Sequence, residues 1–373
     1  MGTTAEKLVY LAETKAAIKS AIEGLGISVG DAPFREYANI IGERLQPSEA
    51  FVTTWDMPVG NISIPSQDDT YNCVVDWGDG TTSVHTTGPL THTYDFAGIR
   101  KIKISGQYNG FKINNNATVK NRLLSIDNWG EVGFTSFQQA FHGCTNLSSI
   151  PFGAITGAEA VTSFANCFFK CQSLTEIPSG LFNNCTAVTN FSFCFSDCQS
   201  LTAIPSGLFD KCTAATNFSY CFNNCQSLTS IPSGLFDKCT EVALFNSCFN
   251  NCQSLASIPS GLFDKCTAVT NFTSCFNFCK SLTSIPSGLF DKCTAVSNFS
   301  YCFNNCQSLT EIPSGLFDNC TAATNFYYCF HDCAALTGAA PTLWISHASA
   351  EGTGCYTNCT GLSNYAEIPD AWK

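Results

Sequence analysis

The chain has 373 residues with 18 basic and 29 acidic side chains, and its net charge of −11 argues against nucleic acid or an anionic membrane as its natural partner. Charged residues make up 13% and hydrophobic ones 45%, which excludes a disordered tail and fits two or three folded units with a large aromatic core under a Ser, Thr and Asn surface. No stretch approaches the roughly 18 consecutive apolar residues of a membrane span, so membrane insertion is not expected. The Met1-Gly-Thr-Thr-Ala-Glu-Lys7 start carries no basic block followed by an apolar run, so an ordinary secretion leader is not expected either.

Residues 1–46 read as a helical hairpin. Thr3 and Glu6 make a capping-box start, and Leu8, Leu11, Ile18, Ile22 and Leu25 recur at helical spacing before Gly24 and Gly26 end the run. Asp31 caps a second helix whose apolar face is Phe34, Tyr37, Ile41 and Leu45. Two short helices with one stripe each bury little alone. Leu8, Leu11, Ile18, Ile22, Phe34, Tyr37 and Ile41 are therefore expected to be assembly contacts, on another copy in a homo-oligomer or on a different protein. The phrases Leu11-Ala-Glu-Thr-Lys-Ala-Ala-Ile-Lys19 and Phe34-Arg-Glu-Tyr-Ala-Asn-Ile-Ile-Gly42 are similar to N-terminal segments of phage tail and fibre proteins.

Residues 51–122 change to alternating short strands, with Cys73-Val-Val-Asp-Trp-Gly-Asp-Gly-Thr81 as a strand entering a tight turn. Asp76 and Asp79 suggest calcium at first sight, but no third or fourth oxygen ligand has a legible spacing and turn formation explains them more simply. With His92-Thr-Tyr94 and Ile99-Arg-Lys-Ile-Lys-Ile-Ser-Gly106, the order of phrases resembles a PKD-type β-sandwich, which implies a spacer or adhesive module without catalysis.

Residues 123–373 are organised by one 27-residue phrase. Cysteines recur at 167, 194, 221, 248, 275, 302 and 329, again at 171, 198, 225, 252, 279, 306 and 333, and again from 185 to 320. Such a period means one supersecondary unit per repeat, stacked into a solenoid. Apolar steps of three and four would suit a helix, but Pro178-Ser-Gly180 and its copies break one. The expected coil therefore has short extended pieces at Leu-Thr-x-Ile and Val-Thr-x-Phe, a helical turn at Cys-Phe-x-x-Cys, and phenylalanine columns such as Phe182, Phe191 and Phe195 stacking along the axis. Ala140 and Ala158 stand where cysteines belong, marking an N-terminal capping repeat, and Cys355 and Cys359 open a C-terminal one. The phrase Ser-Leu-Thr-Ser-Ile-Pro-Ser-Gly-Leu-Phe-Asp-Lys-Cys-Thr resembles the leucine-rich repeat of BspA-like bacterial surface proteins. That resemblance implies short parallel strands on one side, and roles mostly as adhesins and surface displays. The expected fold class is thus mixed α and β: a leucine-rich-repeat-type solenoid with short parallel strands and helical turns, a small β-sandwich and an N-terminal helical hairpin.

The 24 cysteines admit three readings: zinc ligands, disulfides, or a ladder of buried free thiols acting as small hydrophobes. The third is preferred, because identical positions on stacked coils project in parallel and cysteines four apart bond poorly. Histidines at 85, 92, 142, 331 and 347 stand singly, so no nucleophile, base and orienter set assembles; no enzyme activity, metal or cofactor is expected. One column varies while its neighbours do not: Phe193, Tyr220, Ser247, Ser274, Tyr301 and Tyr328. Its aromatics Phe193, Tyr220, Tyr301 and Tyr328 are the candidate contacts to a host-surface protein or glycan, against the plainer reading of a surface drifting without consequence. Two functions follow: a phage virion appendage released by lysis and anchored by residues 1–46, which the absent leader and the phage-like hairpin favour, and as the alternative a bacterial cell-surface adhesin. A chain starting near Ser48 is expected to stay soluble with an unchanged melting transition and a smaller oligomer. Loss of the cooperative transition would place the hairpin in the core instead.

Overall fold

The computed structural model describes Lys15, Ala16, Lys19, residues 50–67 and residues 71–373. Lys15, Ala16 and Lys19 are helical; the rest of the expected hairpin, including Leu8, Leu11, Ile18, Ile22, Phe34, Tyr37 and Ile41, lies outside the described residues. Glu49–Lys373 forms one compact unit.

Seven strands open that unit: β1 Phe51–Met57, β2 Gly60–Ile64, β3 Asn72–Asp76, β4 Thr82–His85, β5 Leu90–Tyr94, β6 Gly98–Gln107 and β7 Leu123–Asn128. They form a five-stranded sheet in the order β4-β3-β6-β1-β7 and a two-stranded sheet β2-β5, with every pairing antiparallel. Period-two alternation sends Phe51, Trp55 and Met57 of β1, Cys73 and Val75 of β3, and Ile102 and Ile104 of β6 into the core. Two of the buried indoles have their donors satisfied, Trp55 Nε1 on Thr53 Oγ1 at 2.8 Å and Trp77 Nε1 on Ser83 Oγ at 2.7 Å. Strand β7 borders β1 on one side, and on the other Ser125 makes a parallel bridge to Ser149. The sheet thus passes directly into the first coil, and Trp129, Phe137 and Phe141 continue its aromatic core.

The solenoid corrects the expected fold class. Its parallel strands are single-residue bridges, Ser163 to Asn190, Asn217, Leu244, Asn271, Asn298, Asn325 and Glu351 in succession. Its turns are not helical, because the residues before both cysteines of Cys221-Phe-Asn-Asn-Cys225 are left-handed, with φ of 57° at Tyr220 and 58° at Asn224. A helix needs consecutive right-handed residues. Here alternate amides turn outward to the next coil instead: Phe218, Tyr220, Phe222 and Asn224 donate to the carbonyls of Leu244, Asn246, Cys248 and Asn250 at 2.7–3.0 Å. Beyond residues 15, 16 and 19, the helices among the described residues are one of four residues, Leu343–Ser346, and two short 3-10 turns, Tyr365–Glu367 and Asp370–Trp372. The described chain is therefore built from antiparallel sheet and stacked turns, without the mixed α and β character expected.

The phenylalanine columns form as expected. Phe195, Phe222, Phe249, Phe276 and Phe303 stack at 5.5–5.6 Å with interplanar angles under 10°, and rings from the Phe209 and Phe236 column meet their neighbours edge-on. Each buried ring stabilises by about 1.5–3 kcal/mol, and each fixes the register of the next coil. All 24 cysteines are buried free thiols. The second column has a specific use: Cys198, Cys225 and Cys252 donate Sγ–H to the carbonyls of Phe168, Phe195 and Phe222 at 3.2 Å. Each of those carbonyls already accepts an amide from its own coil, so the thiol occupies the second lone pair of a buried acceptor. The far end is closed by Tyr356, stacked on Phe330, and by Trp372, packed so tightly on Gly352 that a Cβ there would lie 2.2 Å from the indole.

Burial pushes these thiols up, Cys252 to about 12 and its neighbour Cys225 well above the ordinary range. Thiolate is the reactive form. Native protein at mildly alkaline pH should therefore resist a thiol reagent, and unfolding without reductant should release a majority of the 24 groups. Almost no reaction after unfolding would show that the cysteines are bridged.

Candidate ligand-binding face

The variable column lies where the coil turns from its bridge residue toward the first cysteine. Asn190, Asn217, Asn271, Asn298 and Asn325 each accept, on Oδ1, the amide two residues on at 2.8–2.9 Å, and this side-chain turn sets up the left-handed residue that follows. Phe193, Tyr220, Ser247, Ser274, Tyr301 and Tyr328 all hold φ between 53° and 57°. A bulky side chain there is uncommon and costs energy, so the backbone conformation belongs to the repeat and does not depend on which residue fills it.

Phe193 stacks on Tyr220 at 4.4 Å, and Tyr301 on Tyr328 at 5.5 Å, both nearly parallel. The sequence suggests exposed rings; all four are half-buried, because each leans on its neighbour in the column. The column thus consists of two aromatic pairs separated by Ser247 and Ser274. Alongside run amide ladders. Asn223 donates to Ser196 at 3.0 Å and Asn250 to Asn223 at 2.6 Å, while Asn251 donates to Asn224 at 2.6 Å.

Three residues in the last full coil escape a reading of one column alone. Tyr327 stands where other coils have Ala, Ser, Asn or Thr, His331 where they mostly have Asn, and Asp332 beside it. Tyr327 packs edge-on against Tyr301 and Tyr328, and His331 lies 4.5 Å from Tyr328 and 3.1 Å from Asp332. Aligning all columns in the sequence, and not only that of Tyr328, would have found them.

In the β-sheet unit, Asp76 and Asp79 serve turns: Asp76 Oδ1 accepts the Gly78 amide and Asp79 Oδ1 the Thr81 amide, both at 3.0 Å. The sequence gives no sign that His92 donates Nε2–H to Asp79 Oδ2 at 2.7 Å while stacking on Trp77 at 4.7 Å. Among the described residues no three His, Cys, Asp or Glu side chains gather to hold a metal ion, and no helix is long and apolar enough to cross a membrane.

This architecture of 27-residue coils agrees with the sequence family that matches. The BspA type leucine rich repeat region matches in six copies over residues 135–324 and 257–369, well over half of the chain. The protein belongs to the BspA-type leucine-rich-repeat family. No curated protein matches the sequence. Among solved structures, a leucine rich cell surface protein from Faecalibacterium prausnitzii A2-165 is 18% identical, covers 83% of this chain and 94% of its own, and has a TM-score of 0.29. A TLR13–ssRNA13 complex is 10% identical, covering 64% of this chain and 45% of its own at a TM-score of 0.17. The family match, and not these superpositions, classifies the chain.

Burial pushes the Asp79 carboxyl up, but hydrogen bonds from Thr81 and His92 outweigh it and hold the group at about 2, below its ordinary 3.8. A carboxyl depressed on folding stabilises above its unfolded value and loses that stabilisation as pH falls through the folded one. Wild-type protein should therefore lose melting temperature between pH values of about 4 and 2, and Asp79→Asn should show a smaller loss over that window. Equal losses would show that the Asp79 network does not contribute.

Proposed function

We propose that the protein is a non-catalytic adhesive protein displayed outside a bacterial cell, which presents the solenoid face of Phe193, Tyr220, Tyr301 and Tyr328 to a surface partner, a protein or a glycan. The observation that carries this reading is that paired aromatic rings stand half-exposed on a scaffold whose register is fixed by unbroken backbone hydrogen bonds and stacked phenylalanines. Rings held in this way lose little entropy on binding, and such residues dominate contact energy where partners meet. Membership of the BspA-type family favours the cell-surface reading over the virion reading, which rests on residues 1–46. In this scheme residues 51–122, with their PKD-like phrases, act as the spacer, and residues 1–46 as the assembly segment.

Replacing Tyr220, Tyr301 and Tyr328 together with serine tests this. Ser247 and Ser274 already occupy the same backbone position, so folding should be unchanged by circular dichroism. Adsorption of the purified protein to target cells should fall severalfold. Unchanged adsorption by a correctly folded variant removes this face from consideration.

A further inference from the structure

Away from the solenoid face, a cavity of about 330 Å³ opens between the outer side of β2 and the turn that leads into β7. Pro58, Asn61, Ser63, Ala117, Thr118 and Arg122 line it. Period-two alternation explains the β2 wall: Ile62 and Ile64 are buried, so Asn61 and Ser63 point away from the core. The opposite wall is a turn held from several sides. Val119 is fully buried, and Asn116 Oδ1 accepts the Thr118 amide at 2.9 Å and the Thr118 hydroxyl at 2.6 Å. The Arg122 amide reaches back to the Val119 carbonyl at 2.9 Å.

Arg122 is the only charged side chain lining the cavity, and its guanidinium is fixed. Nε–H donates to the Thr118 carbonyl at 2.9 Å and Nη1–H to the Asp56 carbonyl at 3.3 Å, while the Asp56 amide donates back to the Arg122 carbonyl at 2.8 Å. Both acceptors are backbone carbonyls, so the charge is held in place without being neutralised. Although the chain has 29 acidic against 18 basic residues, no carboxylate among the described residues pairs with Arg122. The end-on N–H groups, one on each Nη, stay free, and they form the fork that meets a carboxylate with two parallel bonds. Arg122 is half-buried and none of its nitrogens is both buried and unpaired, so that end is open to an incoming group. Asn61 and Ser63 likewise have no side-chain partner among the described residues. Across the strand pair they face Thr93 and Thr91, both exposed, so the surface beyond the cavity is uncharged and bears hydroxyls.

We infer that this cavity is a subsite for one acidic monosaccharide unit of a glycan, whose carboxylate docks end-on to Arg122 and whose hydroxyls meet Asn61, Ser63 and Thr118. Its volume lies near the lower end of the range for ligand pockets, about 300–1,000 Å³, which suits a single sugar ring. Pro58 and Ala117 supply the small apolar surface that the C–H side of such a ring covers. A neutral sugar would leave the fork without its acceptor, and an apolar group would strip water from Asn61 and Ser63 without replacing it. The subsite shares no residue with the aromatic column, so it adds a second point of contact, on the sheet unit, and stands or falls separately from Phe193, Tyr220, Tyr301 and Tyr328.

The test uses the full chain, with saturation-transfer NMR and calorimetry at low ionic strength. The probes are the methyl glycosides of glucuronic, galacturonic and N-acetylneuraminic acids, those of glucose and galactose as neutral counterparts, and N-acetyl-aspartate amide and inorganic phosphate as other anions. Asn61→Asp sets a carboxylate beside the fork at an exposed position without hydrogen bonds, so the melting transition should be unchanged. Arg122→Lys keeps the charge and removes the fork. At least one acidic sugar should bind wild type saturably, at least tenfold tighter than the neutral sugars, and lose at least tenfold in affinity in each variant. Unchanged binding by Asn61→Asp overturns the subsite, and this arm decides alone if Arg122→Lys, which also loses bonds to Thr118 and Asp56, fails to fold. Neutral sugars binding as tightly as acidic ones overturn it. Binding of N-acetyl-aspartate amide or phosphate as tight as that of any acidic sugar overturns it as a saccharide site, and no saturable binding of any probe overturns it outright. Adsorption of the Tyr220, Tyr301 and Tyr328 serine variant reports on the aromatic face alone, so the two readings fail separately.

Discussion

The left-handed residue before the first and the second cysteine of each coil, as at Tyr220 and Asn224, is the constraint on which the rest of the solenoid depends. It turns alternate amides out of the coil and into the next one, as when Phe191, Phe193, Phe195 and Asp197 donate to carbonyls of the following repeat at 2.7–2.9 Å. That choice forbids a helix and makes the backbone of each coil the hydrogen-bonding partner of its neighbours. It also places identical side chains directly above one another. The phenylalanine stacks, the thiol-to-carbonyl bonds and the amide ladders are all consequences of that placement.

Much of this is written in the sequence, and the part that is not has a physical reason. The period, the inward columns and the stacking of Phe182, Phe191 and Phe195 follow from spacing alone, because burial demands the same residue at the same place in each coil. The expected helical turn at Cys-Phe-x-x-Cys fails on the sign of φ. Asn224 and Asn251 hint at a left-handed backbone, since asparagine tolerates it, but Tyr220 and Phe193 conceal it. Spacing cannot show that the parallel strands shrink to single bridges, since this depends on where the amides point.

The candidate face is legible to a similar extent. A column that alternates between serine and aromatics marks a position outside the core, and the structure places it at the surface with its rings half-buried in pairs. Single-column reading misses Tyr327 and His331, whose rings meet Tyr328 only once neighbouring columns are set side by side. In the sheet unit, the link between His92 and Asp79 joins strand β5 to the turn after β3, and only the folded pairing of strands brings them together.

The hydrogen bonds between coils also have direction. On the candidate face amides point toward the C-terminal end, from Tyr220 to Asn246, whereas at Thr216 and Thr229 they point back to Thr189 and Thr202. The two strips are opposed electric dipoles that largely cancel, as in a pleated sheet and unlike a helix, whose peptide units add. Lengthening the array by further coils therefore builds up little charge at either end. Solenoids of this design can differ in length between relatives without drawing ions or one another's ends together by electrostatics, leaving the flanks as the surfaces by which they differ.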